Sequence, residues 1–209
     1  MDAISSASSS SARGRNRRGQ GERLRRDIID ATLRMLDELG DDEALSLRAV
    51  AREVGIAATS VYIHFADRDA LVFAALEQCT HDLLSDLNQA ESVHGDPVAR
   101  LRARLLFLGT WVRDHAGLYK VLHEGTLNRR MHLVFKEELA VRTAAAVQRC
   151  LDAGIAPAGD AATLALDLRA AVHGAVSIRV NEPGLEWPPL DEQIDRFLIK
   201  LIGVSLTEK

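Results

Sequence analysis

Residues 46–71, SLRAVAREVGIAATSVYIHFADRDAL, restrict the chain to very few folds. Ser46 is placed to cap a helix whose Leu47, Val50, Ala51 and Val54 share one face. Gly55 supplies the positive-φ residue that ends such a helix. Ile56 then returns to the core, and Ala58 to Phe65 form a second short helix with Val61 turned inward. The small Ala51 lets two helices cross closely, Gly55 makes the turn, and the β-branched Val61 locks the second helix on the first, as a helix-turn-helix requires. An ordinary helical hairpin explains the turn but not the polar outer face of the second helix. That face presents Thr59, Ser60, Tyr62 and His64, groups suited to phosphates and base edges in a major groove. With Ser46, Arg48 and Ala58 they form the candidate DNA-contact set on this unit.

A net charge of −4 over 209 residues looks wrong for a DNA binder until its distribution is considered. Arg13, Arg15, Arg17, Arg18, Arg23, Arg25 and Arg26 crowd the N-terminus, with Glu22 the only acid among them. The local field at a contact surface, not the net charge, governs phosphate affinity. Residues 1–20 are rich in Ser, Gly and Arg and have almost nothing to bury, so we expect disorder there. They are either an inert tail or an arm that sends Arg17 and Arg18 into the minor groove.

At 47% hydrophobic residues the chain can bury one sizeable core, or a small domain docked on a larger one. The expected fold is all-α, with about nine helices in three regions: an Arg-rich arm (1–20), a helix-turn-helix domain (21–66), and a larger bundle for ligand binding and dimerisation (67–209). The first helix should run from about Glu22 to Leu39 and stop at Gly40. A long helix from Asp67 to about Ala90 follows, then Val98–His115, a short segment Leu118–Glu124, and helices over Asn128–Ala153, Pro157–Val180 and Leu190–Leu206. No apolar stretch is expected to span a membrane, no signal peptide is read before the first helix, and Cys79 and Cys150 read as reduced thiols of a cytoplasmic protein.

The stretch Leu45–Leu71 resembles the DNA-binding domain of the TetR (tetracycline repressor) family of bacterial regulators, with Tyr62, His64-Phe65 and Asp67-Arg68 in their usual order. The resemblance implies that Tyr62 touches a phosphate and that Arg68, opening the next helix, clamps another. Lysine is more usual at that position; arginine keeps the charge but has a forked geometry. Val172-His173-Gly174, followed by Trp187-Pro188-Pro189, resembles the family's C-terminal domains bearing a "WHG" signature, with valine in place of the tryptophan. The family implies a ligand-responsive transcriptional regulator, released from a pseudo-palindromic operator when a small apolar molecule binds.

The helix after Pro97 is apolar nearly all round, which places it in the middle of a bundle. Trp111, His115, Tyr119 and His123 cluster on and after it, with Phe107, Phe135 and His173 on surfaces that could face it, and these form the candidate ligand pocket. Arg142 or Arg169 could pair with a carboxylate on the ligand, or be solvated. Leu168, Val172, Val176, Phe197 and Leu201 lie on a stripe wide enough to suggest a second copy, so a homodimer is expected through them. The rival readings are a metal sensor using His115, His123 and His132, a helical enzyme, and an architectural protein that senses nothing. No nucleophile motif, paired carboxylate or tight metal spacing supports the first two, and no cofactor, catalytic residue or membrane partner is expected.

Overall fold

A computed structural model describes the backbone of residues 9–206 and the side chains from Gly19 onward. Ten α-helices occur among the described residues: α1 (Ser9–Leu39), α2 (Leu47–Val54), α3 (Ala58–His64), α4 (Arg68–Ser92), α5 (Pro97–Asp114), α6 (Ala116–Glu124), α7 (Leu127–Arg130), α8 (Val134–Asp152), α9 (Ala161–Asn181) and α10 (Leu190–Phe197). A π-helical turn, Leu198–Ile202, continues α10. Helix α1 begins at Ser9 rather than Glu22, so the described part of the expected arm is helical backbone. The side chains of Arg17 and Arg18 lie outside the described residues.

Caps and turns explain most boundaries. Ser46 Oγ accepts from Ala49 N–H at the start of α2, as expected. Gly55 adopts φ 76° at its end, where Ile56 N–H reaches back to Ala51 O at 2.9 Å in the Schellman pattern. Asp67, Asp96 and Asp160 cap α4, α5 and α9 through their carboxylates. The Asp160 cap sets the start of α9 at Ala161, later than Pro157. The helix expected over Asn128–Ala153 is broken at Met131–Leu133, which lets Leu133 turn into the core at 5% exposure.

Two cores form. The first joins Ile28 and Leu36 of α1 to Val50, Val61 and the first half of α4, and it also takes in Leu118, Val121 and Leu122 of α6. The second is built by α5, α8, α9 and the C-terminal segment around Leu105, Val147, Leu168 and Leu198. The head is therefore completed by α4 and α6 and does not close on itself at residue 66. Leu168, Val172 and Val176, expected at a dimer contact, are 0–2% exposed and belong to the second core, with Phe197 and Leu201 half-buried against it. Helix α9 is long and apolar enough by composition to cross a membrane, contrary to expectation. It carries Asp167 and Arg169 near its middle, and its apolar side fills the second core.

Candidate DNA-binding face and ligand cavity

Helix α3 is held from below by Val61, which is fully buried, and by Phe65, over whose ring the Arg25 guanidinium lies at 5.0 Å. Its outer side stands free. Tyr62 is 55% exposed and Thr59 is exposed; Ser60 and His64 are half-buried at the edges. Ala58 packs against the first core, and the Ser46 hydroxyl is occupied by its cap; Arg48 is exposed on α2, as is Arg52. Ile63, at 80% exposure, is the most exposed large apolar residue of the head, and sequence reasoning missed it. The period-3.6 pattern already put it opposite Val61's core side, which was the available signal. Arg68 is not free: it pairs with Asp69 at 3.0 Å and donates to Glu43 O.

The end of α1 and the loop after it tie this head to the rest of the chain through two aspartates. Asp37 accepts from Leu118 N–H at 3.0 Å and from the His115 ring at 3.1 Å, so it caps the start of α6. Gly117 permits this approach, because a Cβ there would sit 1.8 Å from Asp37 O. Asp42, 1% exposed, accepts from the N–H groups of Thr126 and Leu127 and from the Thr126 hydroxyl. Burial pushes the Asp42 carboxyl up, but the hydrogen bonds from Thr126 and Leu127 outweigh it and hold the pKa below the ordinary carboxylate value.

Between the two cores lies a cavity of about 300 Å³, walled by α4, α5, α6, α8 and α9. Trp111, Tyr119, His123 and His173 line it, as expected. Tyr119 Oη is hydrogen-bonded to His173 Nδ1, and the His123 ring lies tilted against both rings at centroid distances of 4.4 and 4.8 Å. His123 is crowded by protein atoms yet keeps accessible surface, and its place in the wall reconciles the two: that surface faces the cavity. Burial first, then the nearby His173, Lys136 and Arg169, push its pKa down to about 3, and burial pushes the Tyr119 phenol up. At neutral pH both groups are uncharged.

Three expected pocket residues are elsewhere. His115 is engaged with Asp37, Phe135 packs on Phe73 with ring centroids 5.5 Å apart, and Phe107 is half-buried on α5 outside the cavity wall. The wall contains instead Arg104, Lys136 and Arg169, beside leucines of α4, α5 and α8. Lys136 was missed although it falls in phase with Leu139, Thr143 and Val147 on the buried stripe of α8; a cation in phase with an apolar stripe was the signal. Arg142 pairs with Glu138 at the surface. His132 pairs with Glu137 at 3.1 Å, so His115, His123 and His132 each serve a different site. Among the described residues no group of three His, Cys, Asp or Glu could hold a metal ion.

Comparison with known proteins places these two units. Residues 28–75 match the family described as bacterial regulatory proteins, tetR family, and residues 101–202 match the tetracyclin repressor-like C-terminal domain. An uncharacterized HTH-type transcriptional regulator of Haemophilus influenzae is 41% identical over 71 residues, 34% of this chain and 35% of that protein. The HTH-type transcriptional regulator BetI of Burkholderia thailandensis is 32% identical over 127 residues, 55% of this chain and 63% of that protein. The chain thus spans about a third and somewhat under two thirds of these relatives. A protein of unknown function from Rhodococcus sp. RHA1 is 27% identical with a TM-score of 0.71, covering 86% of this chain and 95% of that one. Two more distant structures share the fold. One is the regulator FadR of Bacillus subtilis in complex with stearoyl-CoA, with 13% identity, TM-score 0.71 and coverage of 84% and 96%. The other is a regulator of Saccharomonospora viridis in complex with choline, with 19% identity, TM-score 0.70 and coverage of 86% and 96%.

Proposed function

Because the chain belongs to the tetR family of bacterial regulatory proteins, we propose that it is a ligand-responsive transcriptional repressor acting as a homodimer on double-stranded DNA in the cytoplasm. The working division is a DNA-binding unit (21–66), preceded by a basic arm, and an effector and dimer unit (67–209) that shares its core with the first. The reading carries no catalytic step.

One observation carries the mechanism: helix α6 belongs to both halves. Leu118, Val121 and Leu122 fill the core of the head, while Tyr119 and His123 of the same helix wall the cavity. Its N-terminus is held by Asp37 at the end of α1. An effector that reshapes the cavity therefore bears on α1 and, through it, on α2 and α3. Ligand acts through its differential affinity for the two arrangements, and a coupling of ~1–3 kcal/mol changes DNA affinity by ~5–150-fold. In the DNA-bound arrangement the two α3 helices of a dimer enter successive major grooves ~34 Å apart. The surface left for the partner copy is the side of α9 away from the cavity, where Asp167 and Ile178 are exposed.

The test is fluorescence anisotropy on the DNA upstream of the protein's own gene. Retention at low salt that is lost in the Tyr62→Ala, Arg68→Ala double variant supports the reading. Absence of binding by a folded wild-type dimer overturns it.

A further inference from the structure

The cavity wall has a one-sided charge. Arg104, Lys136 and Arg169 line it, and no aspartate or glutamate does. Lys136 Nζ is held by two neutral acceptors, Leu122 O at 2.8 Å and Asn128 Oδ1 at 2.7 Å. Arg169 has no hydrogen-bond or ion-pair partner among the described residues. Arg104, 3% exposed, shares the buried Glu91 with Arg149, at 2.7 and 2.8 Å, so one carboxylate serves two guanidinium groups. Arg104 Nη2 and Arg149 Nε are left without partners. Charged groups removed from water are ordinarily paired, and in a cavity of low dielectric an unneutralised cation exerts a strong field. Glu91 answers Arg104, which leaves Lys136 and Arg169 as the cations of this wall with no carboxylate against them among the described residues.

We propose that the effector is a small amphipathic carboxylate. This rests on the ligand-responsive reading above and names the chemistry of that same site. The carboxylate lies between Arg169 and Lys136, with the forked guanidinium of Arg169 as its main donor and His123 beside it. The apolar body lies against Leu83, Leu87, Leu105, Leu108 and Leu139. Burial and Arg169 depress the Lys136 pKa, and a bound anion relieves both the Lys136–Arg169 repulsion and the pressure on His123. A quaternary ammonium such as choline, held by a protein of the same fold, meets only like charge here.

The experiment compares three probes with one apolar body on the full chain by isothermal titration calorimetry: decanoate, decan-1-ol and decyltrimethylammonium. The expected result is that decanoate binds at least about tenfold tighter than decanol, the gain of a charge-assisted hydrogen bond, and that decyltrimethylammonium binds weakest. Arg169→Gln should remove the preference while decanol still binds, which shows the cavity intact, and Arg169→Lys should restore part of the preference. Equal affinity for decanoate and decanol, preference for the ammonium, or a preference that survives Arg169→Gln overturns the head-group assignment and leaves the cavity as an effector site. Binding of none of the three overturns the assignment and the cavity's role together. DNA retention without any probe, measured in parallel, reads the regulator hypothesis separately.

Discussion

The carboxylate of Asp42 accepts both the backbone N–H and the hydroxyl of Thr126, at 2.8 and 2.9 Å, across 84 residues of chain. This contact joins the loop that introduces the helix-turn-helix to the start of α7, and it works beside the Asp37–Leu118 bond on α6. Two acidic side chains of the head thus serve as N-terminal caps for helices of the other half. The DNA-binding face is oriented by the same groups that hold α6 and α7 in place.

Replacing Asp42 by alanine should destabilise the fold by ~2–4 kcal/mol, because the Thr126 and Leu127 donors lose their acceptor in a buried setting. The folded pKa of Asp42 lies below its unfolded value, so its contribution is complete above about pH 4 and fades as the pH falls through the folded value. Urea titrations at pH 7 and pH 3 check this. The wild type should lose stability on acidification more steeply than Asp42→Asn, which already lacks the titrating group.

Gly117→Ala should be severely disruptive, since its Cβ meets the Asp37 backbone and not a side chain that can rotate away. A loss of ~2–3 kcal/mol or more follows from overpacking at fixed backbone. The contrast is Gly21→Ala in α1, where nothing lies within 4 Å, and which should stabilise by ~0.5–1 kcal/mol through helix propensity. Thermal unfolding of both variants tests the pair. A neutral Gly117→Ala would show that α6 does not need its close seat on α1.

On α3, Ile63 stands 80% exposed beside Tyr62, where an apolar side chain can meet a thymine methyl in the major groove. Ile63→Ser should cost ~1–3 kcal/mol on the preferred operator with little effect on nonspecific DNA. Arg48→Ala should instead weaken all sequences together and lower the salt slope by about one ion. Anisotropy titrations over several salt concentrations distinguish the two behaviours.

His123, with its pKa pushed down to about 3, should show no titration between pH 5 and 8 in histidine NMR spectra of the free protein. Its unfolded pKa is near 6.5, so stability linked to this residue is present above that value and is lost as pH falls from there toward 3. A bound carboxylate should raise its pKa.

Cys79 is 7% exposed and burial pushes its thiol up to about 12. It should resist dithionitrobenzoate in the native state and react only as fast as the protein unfolds. Rapid native labelling would show that the thiol is open to solvent in the folded protein.

The DNA-facing helix was legible from the chain alone because its determinants are local. Ser46, Ala51, Gly55 and Val61 lie within a few turns of one another, and each has a steric or capping role that spacing reveals. Four cavity residues, Trp111, Tyr119, His123 and His173, were legible for a similar reason: polar aromatics cluster where the apolar pattern of α5 ends. What periodicity cannot state is which neighbour an apolar face will choose. Leu168, Val172 and Val176 have the pattern of an interface, yet they turn into their own core because α5 and α10 were there to receive them. His115 and Phe135 left the pocket because Asp37 and Phe73, distant in sequence, offered a hydrogen bond and an aromatic contact. The chain by itself determined the all-helical class and the capped α2–turn–α3 unit, set within a few residues, but not the starts of α1 and α9 or the break between α7 and α8. Only the folded structure decided that Asp37 and Asp42 reach across to α6 and α7, and that Lys136 and Arg169 share one cavity wall with no carboxylate against them, because those relations depend on packing between segments far apart in sequence.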